Sequence, residues 1–166
     1  MEPWQTLDAA AEEDAGQMLA ACCGATRWVA RMLARRPFGS SEALLRAARE
    51  EWFALSESDW REAFAHHPRI GDRDELRRRF PATAHLSEQE QAGVTSAADE
   101  VLDALAEGNL AYEDRFGYIF IVCATGKTAG EMLALLRERL EHHPAEEISL
   151  AAGEQARITA LRLMNL

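Results

Sequence analysis

Only one stretch of the chain, Tyr118-Ile119-Phe120-Ile121-Val122-Cys123, carries the branched and aromatic side chains of a β-strand, and a lone strand has no partner with which to build a sheet. The remaining segments must satisfy their backbone internally, as helices. The expectation is an all-α protein, a single-domain irregular bundle of about eight or nine helices over residues 1–166. The apolar run is expected as a buried extended segment or as the buried start of a helix. A chain of 166 residues with 48% hydrophobic content can bury a core of that kind.

Helix boundaries can be read from the punctuation. Asp14 to Ala34 places Met18, Leu19, Cys22, Trp28, Val29, Met32 and Leu33 at helical spacing and predicts two helices broken near Gly24. Pro37-Phe38-Gly39 ends that segment, because proline lacks the amide proton that a continuing helix needs. Ser40 or Ser41 caps a helix whose Leu44, Leu45, Ala48 and Trp52 share a stripe. Ser56-Glu57-Ser58-Asp59 opens a short one, Trp60 to His66, which Pro68 stops. Asp72 caps a basic run to Phe80, halted by Pro81. A long helix is predicted from Ser87 to about Glu107, ended by Gly108-Asn109, then further helices over Leu110 to Phe116, Lys127 to about His142, and Ala145 to Leu163.

The net charge of −10 argues against a phosphate-backbone partner, since such binding rests on Lys and Arg neutralising phosphates. No nucleic acid is expected, and the local Arg77-Arg78-Arg79 cluster does not change that balance. No run of about 20 apolar residues offers a membrane span, so no membrane partner is expected either. Cys22, Cys23 and Cys123, odd in number with two adjacent, make a poor disulfide framework and read as buried thiols of a reducing compartment. Neither Cys22-Cys23 nor His66-His67 and His142-His143 has the spacing of a zinc site, so no metal is expected. Met1 to Gln5 lacks the basic start and apolar run of a secretory leader, and Met164-Asn165-Leu166 is not a peroxisomal address of the Ser-Lys-Leu type.

Ala124-Thr125-Gly126-Lys127-Thr128 imitates the tail of a phosphate-binding P-loop, but that motif demands a glycine where Ile121 stands, which argues against nucleotide hydrolysis. Ser87-x-x-Glu90 has the form of a capping box, the serine hydroxyl accepting from the Glu90 amide while the carboxylate reaches back. The same carboxylate has the chemistry to orient an imidazole. His66-His67-Pro68 and His142-His143-Pro144 each close a helix, where a histidine also serves simply as a cation at the helix C-terminus. The first copy differs in its sequel, Arg69-Ile70-Gly71-Asp72, a turn and then a cap that fixes backbone direction. Because imidazole titrates near neutral pH, His67 and Glu90 are the candidate proton-transfer pair.

Several segments together resemble one family. These are Cys22-Cys23 with Trp28-Val29, Arg36-Pro37-Phe38, Asp59-Trp60-Arg61-Glu62-Ala63-Phe64, His67-Pro68-Arg69-Ile70-Gly71-Asp72, Ser87-x-x-Glu90-Gln91, Phe116-Gly117-Tyr118 through Ala124, and the closing Arg162-Leu163. In order and spacing they are similar to 2-oxo-4-hydroxy-4-carboxy-5-ureidoimidazoline (OHCU) decarboxylases, for which His-Pro-Arg-Ile-Gly is specific. The resemblance implies an all-α, cofactor-free enzyme, usually a homodimer, that acts on a small molecule and completes the conversion of urate to (S)-allantoin. It implies His67 as the catalytic histidine and Glu90 as its carboxylate partner. Pro68, Ser87, Gln91, Arg162 and the backbone of Phe120, Ile121, Val122, Cys123 and Ala124 would line the substrate. Eukaryotic members often carry a peroxisomal tail; its absence here leads to the expectation of a bacterial cytoplasm.

The implied chemistry explains why no cofactor is expected. Electrons from the broken C–C bond flow into the ring C=N beside the carboxylated carbon, and protonation of the enol-like intermediate on one face sets the S configuration. The protein has to hold the ring, stabilise the electron-rich intermediate and deliver one proton. Arg162 is expected to grip a carbonyl or ureido oxygen, since a tight ion pair with the leaving carboxylate would stabilise the ground state. The alternative from another class is a non-catalytic helical ligand-binding or interaction module, with Ser87 and Glu90 as a cap and His67 as a helix terminator.

Overall fold

A computed structural model describes residues 1–68, Leu76, Arg78 and 88–166, with the side chains of 88–97 outside the description. Among the described residues there are eight helices and no strand. They are α1 (Pro3–Ala9), α2 (Glu12–Cys22), α3 (Thr26–Ala34), α4 (Ser41–Phe53), α5 (Glu57–Ala65), α6 (Glu88–Phe116), α7 (Ala129–Leu140) and α8 (Pro144–Leu163). The all-α expectation therefore holds. The helix expected from Asp72 to Phe80 lies outside the described residues apart from the helical Leu76 and Arg78, as do its Pro81 stop and the Ser87 cap. None of the described helices is long and apolar enough to cross a membrane.

The chain groups into two compact units, one of residues 1–67, 121–123 and 148–166, the other of 68–120 and 124–147. In the first, the break near Gly24 falls where expected, between α2 and α3. A Cβ on Gly24 would sit 2.4 Å from Cγ of His66, so the turn can lie against the end of α5 only without a side chain. Glu62 of α5 then caps α3, its carboxylate accepting from the Thr26 amide at 2.6 Å and the Thr26 hydroxyl at 3.2 Å. Ser40 caps α4, its hydroxyl accepting from the Ala43 amide at 3.1 Å. Ser56 and Asp59 close a capping box, which starts α5 at Glu57, earlier than the expected Trp60.

Three indoles fasten these helices by donating to backbone carbonyls. Trp28 donates to Ala48 at 3.0 Å, Trp52 to Ala152 at 2.9 Å, and Trp60 to Trp52 at 3.0 Å. Each such bond contributes about 1 kcal/mol net, and the bulk of each ring adds apolar burial. They tie α3 to α4, α4 to α8, and α5 to α4. The unanticipated α1 starts on Pro3, with the Glu2 amide donating to the Gln5 side chain at 2.9 Å. Arg36 closes its far end by donating to the carbonyls of Asp8 and Ala10, while the Asp8 carboxylate accepts from the amides of Phe38 and Gly39 and so holds the Pro37-Phe38-Gly39 turn.

In the second unit α6 runs unbroken through the expected stop at Gly108-Asn109 and absorbs the separate helix expected from Leu110. The correction has a packing cause. A Cβ on Gly108 would lie 2.6 Å from Cδ2 of Leu136, so this glycine admits α7 against α6 instead of ending the helix. The real end is Gly117, whose φ of +81° favours glycine and whose amide donates to the Glu113 carbonyl at 2.8 Å. Residues 118–124 that follow are neither helix nor strand, and Tyr118, Ile121 and Cys123 are buried. The P-loop-like tail is a turn and a cap: the Thr128 hydroxyl accepts from the Glu131 amide and the Glu131 carboxylate from the Thr128 amide, both at 3.2 Å, so α7 begins at Ala129.

Candidate active site

His67 lies just beyond the end of α5. The amides of His66 and His67 donate to the carbonyls of Ala63 and Phe64, each at 3.2 Å, which tightens the last turn over the fully buried Phe64. From there the half-buried imidazole reaches α8, where Nε2 lies 2.5 Å from Oε1 of Gln155. Gln155 is only 1% exposed, and its Nε2 donates to the Thr159 hydroxyl at 3.0 Å. Arg162 stands one further turn along: Gln155, Thr159 and Arg162 are spaced i, i+4, i+7 and share a face of α8. Its guanidinium donates to the Cys22 carbonyl at 3.3 Å, at the C-terminal end of α2 where a cation is favourable.

Burial holds the His67 imidazole below its ordinary value of 6.5, with the Gln155 contact opposing and the charges of Arg162 and His66 adding to the depression. The ring is therefore neutral near pH 7. Burial also pushes the Cys22 and Cys23 thiols up to about 11, with Arg162 pulling the other way, so both stay protonated and are poor nucleophiles. All three cysteines are buried thiols.

The expected lining residues are divided between the two units. Buried Ile121 and Cys123, with half-buried Val122, group with His67 and Arg162 in the first. Phe120 and Ala124 group with the second, where the Phe120 ring lies 4.7 Å from the Arg139 guanidinium and 5.3 Å from the Tyr112 ring. Pro68 is exposed. Glu90 and Gln91 stand in the first turn of α6, their side chains outside the described residues, and Ser87 lies outside them altogether. Gln155 and Thr159 were not anticipated, although their helical phase with Arg162 was available in the sequence.

The second unit holds another buried polar cluster. Glu147, fully buried, accepts from the Tyr112 hydroxyl and from Arg139 Nε, both at 2.5 Å, and its other oxygen meets His142 Nδ1 at 3.0 Å. Burial first, and then the Glu147 contact, push the Tyr112 phenol up, so it remains a donor. Charge, donor and aromatic faces are all engaged within the cluster itself, which makes it structural.

The described residues define an all-α protein that holds a half-buried imidazole against a buried amide on the helix that also carries Arg162. The sequence profile of the OHCU decarboxylase family matches residues 8–164, and the chain belongs to that family. It is 42% identical over 148 residues to the uric acid degradation bifunctional protein TTL of Arabidopsis thaliana, a match covering 87% of this chain and 45% of that protein. The chain thus spans less than half the length of that relative. It is 32% identical over 131 residues to the OHCU decarboxylase of Amia calva, covering 79% of this chain and 74% of that one. A crystal structure of OHCU decarboxylase in the presence of (S)-allantoin superposes with a TM-score of 0.71 at 35% identity, over 94% of this chain and 97% of the other.

Proposed function

We propose that this chain decarboxylates OHCU to (S)-allantoin in urate catabolism, with acid–base assistance from His67 and Glu90 and protonation on one face of the substrate. Membership of the family makes it a carboxy-lyase of urate degradation. The observation that carries the mechanistic reading is the His67 ring, fixed by Gln155 and kept neutral by burial, which is the form that can take up or pass on a proton near pH 7. Glu90 is its carboxylate partner, and the two share hydrogen-bond contact with the C4 hydroxyl and the ring of the substrate. Arg162 grips a carbonyl or ureido oxygen, while Pro68, Ser87, Gln91 and the backbone of Phe120 to Ala124 line the substrate. The substrate carries its own electron sink, so the reaction calls on no cofactor. Residues 1–166 act as one functional domain, as a homodimer in the cytoplasm.

The test is to add purified protein to freshly generated OHCU and monitor allantoin by polarimetry against a no-protein control, because OHCU also decays unaided. Accelerated formation of a single enantiomer supports the enzyme; a rate equal to buffer supports a non-catalytic module instead. General acid–base assistance is worth ~10²–10⁴ in rate, so His67→Ala and Glu90→Gln should each lose about that much. Near-normal turnover by either folded variant removes the proton-transfer role.

A further inference from the structure

We infer that Gln155 is a positioning residue that selects the tautomer of His67, keeping the proton on Nε2 and leaving Nδ1 as the basic atom offered to substrate. The direction of the amide is set at its other end. There Gln155 Nε2 donates to the Thr159 hydroxyl at 3.0 Å. With the amide nitrogen committed there, the atom that meets His67 is the carbonyl Oε1, which can only accept. Nε2 of His67 must then carry hydrogen. A neutral imidazole has one N–H, so Nδ1 presents its lone pair.

The choice of an amide is as informative as its direction. A carboxylate at 155 would orient the ring equally well, but it would stabilise the imidazolium and cost the site its neutral base. Among the described residues, the charged or titratable groups that bear on the charge of His67 are Arg162 on α8 and His66 beside it. None of these is anionic near pH 7. Gln155 fixes the ring without charging it, and its near-complete burial keeps water from competing for the same bond.

The inference rests on the reading of His67 as an acid–base group, and the experiment separates the two. Imidazole ¹⁵N spectra of the full-length protein, titrated with pH, should show His67 as the neutral Nε2–H tautomer, titrating below 6.5. In Gln155→Glu the titration should move to higher pH, and the acid limb of kcat/KM should move up with it, because imidazolium then persists to higher pH. In Gln155→Met the tautomers should mix and kcat should fall about 10- to 100-fold, the size of effect seen when a group orienting a histidine is lost, with KM changing far less. An Nδ1–H tautomer in the parent protein overturns the inference, as does a Gln155→Glu variant whose titration and acid limb both stay put. Should the Gln155 variants fail to fold, Thr159→Val leaves Gln155 and His67 in place and should mix the tautomers; an unchanged tautomer there also overturns it. Full activity of His67→Ala, by contrast, removes the acid–base reading while the spectra still report on the tautomer.

Discussion

The chain closes two helices with the same tripeptide, His66-His67-Pro68 after α5 and His142-His143-Pro144 after α7, and puts them to different uses. In the first, the second histidine meets a neutral amide 88 positions away. In the second, the first histidine meets the carboxylate of Glu147, 5 positions away, while Nδ1 of His143 accepts from the Ala145 amide and helps to start α8. Around Glu147 the donors of Tyr112 and Arg139 converge, and Arg115 closes on the His142 carbonyl at 2.9 Å. An amide holds a ring in place and leaves it neutral; a carboxylate enlists the ring in a cluster that serves the fold. What a helix-ending histidine does is decided by the group placed opposite it, and that group lies outside the motif.

If the second cluster is ionic and the first is not, removing a partner should cost very different amounts. Arg139→Met keeps much of the side-chain volume but leaves Glu147 buried beside Tyr112 with its main counter-charge gone, and breaking a buried pair in this way costs about 3–5 kcal/mol. Loss of the neutral Gln155 amide should cost about 1–3 kcal/mol, the penalty for one orphaned buried polar group. Chemical denaturation of the two variants measures both. A smaller loss for Arg139→Met than for Gln155→Met would break the comparison, because it would mean that Glu147 does not depend on Arg139 for its charge.

The helical fold was legible because its boundaries are local chemistry: Ser40 and Ser56 cap by hydroxyls that the sequence displays, and proline denies the amide proton that would let a helix run on. Gly108 was misleading because a glycine that ends a helix and one that lets a neighbour approach look alike until Leu136 is in view. The buried character of the Tyr118 to Cys123 run was also legible from its composition, but the separate grouping of Phe120 and Ile121 was not, since an apolar run does not say what each side chain faces. His67 stood out through its motif. Its partner Gln155 did not, because a glutamine on a helix is ordinarily a surface residue, and only its phase with Thr159 and Arg162 distinguishes it.

The two histidine regions also differ in how they use glycine, which gives a finer test. A Cβ on Gly24 would come within 2.6 Å of Cβ of His66 and closer still to its ring. Turning the ring cannot relieve a clash with Cβ, so the backbone at the end of α5 has to move and carry His67 with it. Gly24→Ala should therefore cost about 1–3 kcal/mol of stability, the usual range for overpacking, and should lower kcat/KM in the same variant. Retained activity with lost stability would show that His67 is held by Gln155 independently of the turn beneath His66.

Gly108 should yield the smallest effect, although its clearance is nearly as short. There the atom in the way is Cδ2 of Leu136, the far end of a flexible side chain, with Cγ at 3.2 Å. A rotamer change removes the contact without moving either helix, at an off-rotamer or repacking cost of about 0.5–1.5 kcal/mol. Against that, alanine in place of glycine in the middle of α6 gains roughly 0.5–1 kcal/mol by restricting the unfolded chain. The two terms nearly cancel, so Gly108→Ala should shift the denaturation midpoint little and leave turnover unchanged. A loss as large as that of Gly24→Ala would mean that Leu136 has no second place to go, and that α6 and α7 are locked together as tightly as the Gly24 turn is against the end of α5.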